Sequence, residues 1–299
     1  MNIMQVFKKF PTQESCVAHI EKARWQGEPA CVYCGSDKVS KHTETNRQSR
    51  WQCSQCQKSF SVTVGTIFHH THLPLQKWFL AISLILNAKK GLSSRQLARD
   101  LELPVKTAWA LAHRIRNAMK DDGALLCGIV EMDETYVGGK PRKGNDRDDD
   151  IDGGNKSTRG RGTKKTPVVG MVERNGSVKA QSVSKHELKG KDLQELVRKG
   201  IDMASSILLT DEYTGYNGMK KLMQHLTINH QKAYVDGWVH TNTIESFWAI
   251  VKRGIVGQFH KVSAKYLDKY LDEFCYRYNG RNTDSSTMFD MTVSRMLGV

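Results

Sequence analysis

Apolar positions along this chain change their spacing at Asp121-Asp122-Gly123, and the elements predicted on either side differ in kind. Before that point the spacing is helical. Trp78, Phe79, Ile82, Ile85 and Leu86 recur at steps of three and four from Leu75 onward, and Gly91 ends the pattern. Ser93 offers an N-cap for a short second helix, Leu101-Glu102-Leu103-Pro104 turns the chain, and Val105–Lys120 reads as a longer third helix. Its expected inner stripe is Val105, Ala108, Trp109, Ala112, Ile115 and Met119, which leaves Lys106, His113, Arg116 and Lys120 largely on other faces. A short helix, a tight turn and a basic helix describe a helix-turn-helix whose second helix enters a major groove. Helical hairpins that never meet DNA share the pattern.

After that point strands begin. Gly128–Tyr136, Pro167–Glu173 and Ser177–Ser184 alternate or run apolar, with an Asn175-Gly176 hairpin turn between the last two. A helix over Lys191–Ile201 follows, then a strand at Ser206–Thr210, a helix around Asn217–His225 and a short strand at Leu226–Asn229. From Thr241 the spacing is helical again. Ile244, Phe247, Trp248, Val251 and Ile255 form the stripe to be buried, and Asn242, Glu245, Ala249 and Lys252 line another. Tyr266–Asn279 reads as a helix packed on the core. This order predicts a mixed α/β, ribonuclease H-like core. The tract from Lys140 to Lys165 has almost no apolar content and is expected to be a mobile charged loop. The expected domains are 1–65, 66–124 and 125–299.

Two of the strands carry aspartates. Asp133 lies in VEMDETYVGG and Asp211 in ILLTDEY, 211 − 133 = 78 residues apart, and Glu245 follows 245 − 211 = 34 residues later on a helix. Acids at strand ends are common and mostly solvated, but two strand-borne aspartates and a helix-borne glutamate are what a two-metal phosphoryl-transfer site requires. Mg²⁺ or Mn²⁺ suits hard carboxylate oxygens. In that reading Asp133 bridges the metals, Asp211 and Glu245 complete them, and Lys252 holds a DNA phosphate.

The seven cysteines add a second metal chemistry. Cys31-x2-Cys34 and Cys53-x2-Cys56 supply four thiolates in two corners, the donor set of a closed, structural Zn²⁺ site in a zinc ribbon. Cys16, Cys127 and Cys275 stand alone. Lys38, Lys41, Arg47, Arg50 and Lys58 decorate the ribbon; phosphate contact and a solvated polar face remain equal readings for them. With 45 Lys+Arg against 31 Asp+Glu the net charge is +14, which favours a polyanionic partner. The amino terminus lacks an apolar signal-peptide core, and the longest apolar run, Phe79–Ala88, is too short to span a bilayer. The expected location is cytoplasmic, associated with the nucleoid, with no membrane partner.

CVYC…CSQC, VEMDETYVGGK, LLTDEY and HTNTIESFWAIVKRG followed by YLDEFCYRYNGR together resemble the zinc-ribbon DDE transposases of bacterial insertion sequences, the ISXO-like group. The resemblance covers nearly the whole chain. It implies recognition of terminal inverted repeats by the amino-terminal modules, DNA cleavage and strand transfer by the core, and homo-oligomers on double-stranded DNA ends and target. It nominates Asp133, Asp211 and the Asn242/Glu245 segment with Lys252. The third position stays open between Glu245 and Asn242, and a carboxylate is the better ligand for a hard cation. A ribonuclease H-like nuclease or resolvase, and a DNA-binding regulator that keeps the core as a scaffold, are the competing readings.

Overall fold

The computed structural model describes residues 1–42, 50–138, 165–228 and 238–298. Arg47, the end of the expected strand at Asn229 and the charged tract from Lys140 as far as residue 164 lie outside them. The chain divides into two compact units, Asp121–Asn279 and the remainder.

The first unit opens with α1 (Ile3–Lys9) and α2 (Gln13–Trp25), each started by a reciprocal cap, Asn2 with Gln5 and Thr12 with Ser15. An antiparallel sheet follows: β1 (Val39–His42), β2 (Arg50–Cys53) and β3 (Ser59–Phe60). Trp25 and Trp51 pack edge to face at 5.3 Å beside the buried Cys31, Cys53 and Phe60. Next come α3 (Leu75–Asn87), α4 (Ser94–Asp100) and α5 (Val105–Asn117). Ser93 caps α4 through the Gln96 N–H at 3.2 Å, as expected. The burial of α3 is wider than one stripe, taking in Trp78, Phe79, Ala81, Ile82, Ser83 and Ile85, because α1, α2 and α5 all pack on it.

The second unit carries a five-stranded sheet. Its elements are β4 (Leu126–Val137), β5 (Thr166–Glu173), β6 (Val178–Ser182), α6 (Gly190–Gly200), β7 (Ile201–Thr210), β8 (Gln224–Thr227), α7 (Asn242–Gly254) and α8 (Ala264–Asn279). The spatial order is β6-β5-β4-β7-β8, with β4, β5 and β6 antiparallel and β4, β7 and β8 parallel. That is the ribonuclease H topology which the element order predicts. Val130 and Met132 of β4 pack with Leu193 and Val197 of α6, while Val137 shares the opposite core with Phe247 and Trp248 of α7 and Leu271 of α8.

Two expectations are corrected. No α-helix forms around Asn217–His225. Short 3₁₀ turns at Thr214–Tyr216 and Met219–Lys221 stand there instead, since Gly215 and Gly218 weaken a helix and β8 claims Gln224 onward. The core also ends at Asn279 and not at 299. The last helix, α9 (Ser285–Leu297), belongs to the first unit, where Phe289 stacks against Phe10 and meets Phe79 edge to face. The expected boundary at 65 likewise falls inside that unit. Among the described residues no helix is long and apolar enough to cross a membrane.

Candidate active site

Sheet register brings the two aspartates together. β4 and β7 pair in parallel from Gly128↔Ser206 to Glu131↔Leu209, a constant offset of 209 − 131 = 78. The same offset, carried on to where β7 stops, sets Asp133 beside Asp211, so the 78-residue separation in the sequence is the register of the sheet. Asp211 turns back to accept the Tyr213 N–H at 3.0 Å. Behind it Thr210 Oγ1 lies 2.8 Å from the Asp211 carbonyl and 2.9 Å from His225 Nε2. Burial, reinforced by Lys220, holds that histidine down at about 4, so it is neutral and donates or accepts without adding charge.

Asp133 points to the α7 face of the sheet, and Trp248 Nε1 donates to its Oδ2 at 3.1 Å. The indole fits there because Gly170 is the cross-strand partner of Asp133. A Cβ at Gly170 would stand 2.5 Å from the Trp248 ring. Burial pushes the Asp133 carboxyl up to about 7, with the neighbouring charges of Glu134, Asp211 and Glu245 adding to it and the Glu134 N–H opposing. Asp211 and Glu245 therefore both act on Asp133 at this spot. Glu134 itself looks to the other face, accepting from the buried Tyr216 hydroxyl at 2.8 Å. That phenol is raised well above 10, first by burial and then by Glu134 and Asp133.

Helix α7 carries the rest of the nominated set. Its apolar stripe, Ile244, Phe247, Trp248 and Val251, is buried as expected. Asn242, Glu245 and Lys252 are exposed on the other side. Thr241 Oγ1 donates to Glu245 Oε1 at 3.3 Å. The carboxylates offer hard oxygen donors, the chemistry that suits Mg²⁺ or Mn²⁺.

The ribbon cysteines form a different kind of cluster. Cys31, Cys34, Cys53 and Cys56 place their sulfurs all within 4.8 Å of one another, with Cys31–Cys56 at 3.6 Å and Cys34–Cys53 at 3.7 Å. A tetrahedron with bonds of about 2.3 Å has sulfurs roughly 3.8 Å apart, so these thiols fit Zn²⁺. Among the described residues no other group of three or more metal-ligating side chains converges so tightly.

The DNA-facing expectations divide. Lys106 and Lys120 are exposed, but His113 and Arg116 are not: Arg116 is 0 % exposed and His113 only 5 %. Leu111, Ala112, His113, Ile115 and Arg116 all turn inward, while Val105 and Trp109 of the expected inner stripe stand out in solvent. Ala108, Ala112, Ile115 and Met119 of that stripe are buried as expected, so the packed face is wider than the stripe and takes in His113 and Arg116. Arg50 is tied across the ribbon to β3 through Ser59 Oγ at 2.9 Å and the Ser59 carbonyl at 3.2 Å. Sequence reasoning missed Glu131, Gly170 and Trp248. For Glu131 a signal existed, since alternation puts it on the same face of β4 as Asp133.

Comparison with known proteins follows this geometry. A protein-family model described as the ISXO2-like transposase domain matches residues 125–279. A second, the transposase zinc-ribbon domain, matches residues 11–59. An uncharacterized protein in the transposable element ISH50 of Halobacterium salinarum is 28% identical over 286 residues, covering 92% of this chain and 93% of its own. Among solved structures, the pre-cleavage Mos1 transpososome aligns with a TM-score of 0.32 at 14% identity, over 72% of this chain and 78% of that one. The Mos1 strand transfer complex aligns with a TM-score of 0.31 at 14% identity, over 74% and 75%.

Proposed function

This chain belongs to the ISXO2-like transposases, and we propose that it is an active DNA transposase that cleaves and joins the ends of its own mobile element. The observation that carries the reading is the gathering of Asp133, Asp211 and Glu245 by sheet register and one helix, close enough that the latter two add to the effect of burial in raising the pKa of the first. Asp133 is the central ligand, Asp211 and Glu245 flank it, and the Trp248 N–H fixes the orientation of the Asp133 carboxylate. Asp133, Asp211 and Glu245 would hold divalent ions, which would supply activation of an attacking oxygen and stabilisation of a leaving one. Lys252, on the exposed side of α7 two turns beyond Glu245, holds a DNA phosphate. Water or a DNA 3′-hydroxyl attacks, so the chain needs no covalent nucleophile.

In the first unit Zn²⁺ on the four cysteines holds the ribbon, and α5 enters the major groove with Lys106 and Lys120 on phosphates. Terminal inverted repeats are the partners. Two ends must be held at once, which calls for at least two copies of the chain. The test is nicking of labelled duplex carrying the element's own ends, in Mg²⁺ and in Mn²⁺. Cuts at the element boundary are expected from the natural chain and not from Asp133→Asn or Asp211→Asn. Binding to those ends without nicking in either metal would overturn the reading in favour of a regulator. Cutting of branched DNA in preference to the ends would favour a resolvase.

A further inference from the structure

A second acid of β4 is enclosed completely. Glu131 is 0 % exposed. Its Oε2 accepts the backbone N–H groups of Thr243 at 2.8 Å and Ile244 at 3.0 Å. Its Oε1 accepts from Thr243 Oγ1 at 2.9 Å and from Arg174 Nε at 2.6 Å, with His240 Nδ1 at 3.3 Å. Arg174 reaches on to the carbonyls of Trp238 at 2.7 Å and His240 at 2.8 Å, the segment that leads into α7. A buried carboxylate is costly unless its lone pairs are filled. These are filled, and by groups that belong to one place, the start of α7.

That start lacks its own cap. Thr241 is the N-cap residue of α7, and its side chain makes no capping hydrogen bond. The first N–H groups of a helix have no partner within it and carry its partial positive charge. Glu131 satisfies two of them from another element, with a full negative charge. It stands two residues before Asp133, on the same face of the same strand. Glu245 lies in the first turn of the helix so held. A shift of that turn therefore moves Glu245 against Asp133, while the apolar stripe of α7 remains packed.

We propose that Glu131 is a positioning residue, a cap supplied by β4 that fixes where α7 presents Glu245 to Asp133. Its link to metal rests on the proposed function, but the cap itself does not. Glu131→Gln keeps the volume and leaves one oxygen for two sets of donors, so an amide NH₂ must face either the helix N–H groups or Arg174. The full zinc-loaded chain would be compared with this variant by native-state hydrogen exchange and by Mn²⁺ titration. Exchange at the Thr243 and Ile244 amides should rise about tenfold or more, with the amides of β5 unchanged. The Mn²⁺ half-saturation concentration should rise about tenfold. A folded Glu131→Gln chain with unchanged exchange at both amides overturns the cap. Faster exchange with unchanged Mn²⁺ affinity overturns the positioning of Glu245. Should Glu131→Gln fail to fold, Thr243→Val, which removes one donor and leaves the ion pair and both amides, must weaken Mn²⁺ binding about threefold; wild-type affinity there also overturns the proposal. A natural chain that shows the protected amides yet binds no Mn²⁺ contradicts the transposase reading and leaves the cap standing.

Discussion

In the ribbon, four thiols come from two short corners and their sulfurs all lie within 4.8 Å of one another. In the core, three carboxylates come from a strand interior, a strand end and a helix, and burial, with the charges of Glu134, Asp211 and Glu245 adding to it, lifts Asp133 to about 7. The first arrangement is local: each C-x2-C corner makes its own geometry, and the pairing of β1, β2 and β3 only has to bring two corners together. The second exists only in the finished fold, because no acid of the three reaches another until β4, β7 and α7 are in place. The two sites also differ in cost. Thiols at the ribbon sit in a small apolar cluster with Phe60 and the two tryptophans. Carboxylates crowded in the core weaken the fold that holds them, as functional sites commonly do.

Changes at the core site should cost activity without cost to the fold. Asp133→Asn keeps an acceptor for the Trp248 N–H and removes the charge, so nicking should fall about a thousandfold or more, read as initial rates on end-bearing DNA. The reverse holds at the ribbon. Cys53→Ser, or removal of Zn²⁺ by a chelator, should unfold β1–β3 and lower affinity for the ends by about tenfold or more, while the circular dichroism and melting of the Asp121–Asn279 unit stay as they were.

A smaller effect tests the space around Asp133. At Gly170→Ala the new Cβ meets the Trp248 ring at 2.5 Å, and displacement of the indole should cost about 1–3 kcal/mol in denaturant melts. The comparison also has a pH signature. Asp133 has a folded value near 7 against 3.8 for the free side chain, so the folded state binds the extra proton. Its stabilising contribution is complete below about 4 and is lost as pH rises through 7. The melting temperature of Asp133→Asn should therefore pull ahead of the natural chain over that window, and Mn²⁺ affinity of the natural chain should rise with pH up to about 7 and then level. The smallest effect expected is at the DNA face: Lys106→Ala should reduce the salt dependence of end binding by about one charge.

The difference between the two sites also explains what the sequence discloses. Cys-x2-Cys pairs are legible because their chemistry is local. The strand order was legible from spacing, and the 78 residues between Asp133 and Asp211 turned out to be the β4–β7 register itself. Side chains whose role depends on neighbours from distant elements were not legible. Arg116 looked like a surface cation and lies inside. Alternation puts Glu131 on the Asp133 face of β4, but only the placement of α7 gives its carboxylate the amides of Thr243 and Ile244. The segment Asn217–His225 was expected to be a helix, but Gly218 and the strand pairing of β8 from Gln224 onward decide it otherwise.

The most direct test of the three-carboxylate claim is a Mn²⁺ titration of the zinc-loaded chain, followed by electron paramagnetic resonance. It would be run beside Asp133→Asn, Asp211→Asn, Glu245→Gln and Asn242→Ala. The account predicts that the first three lose tight Mn²⁺ binding and Asn242→Ala retains it. Retention of binding by Glu245→Gln, with its loss in Asn242→Ala, would contradict the account and move the third ligand to the first residue of α7.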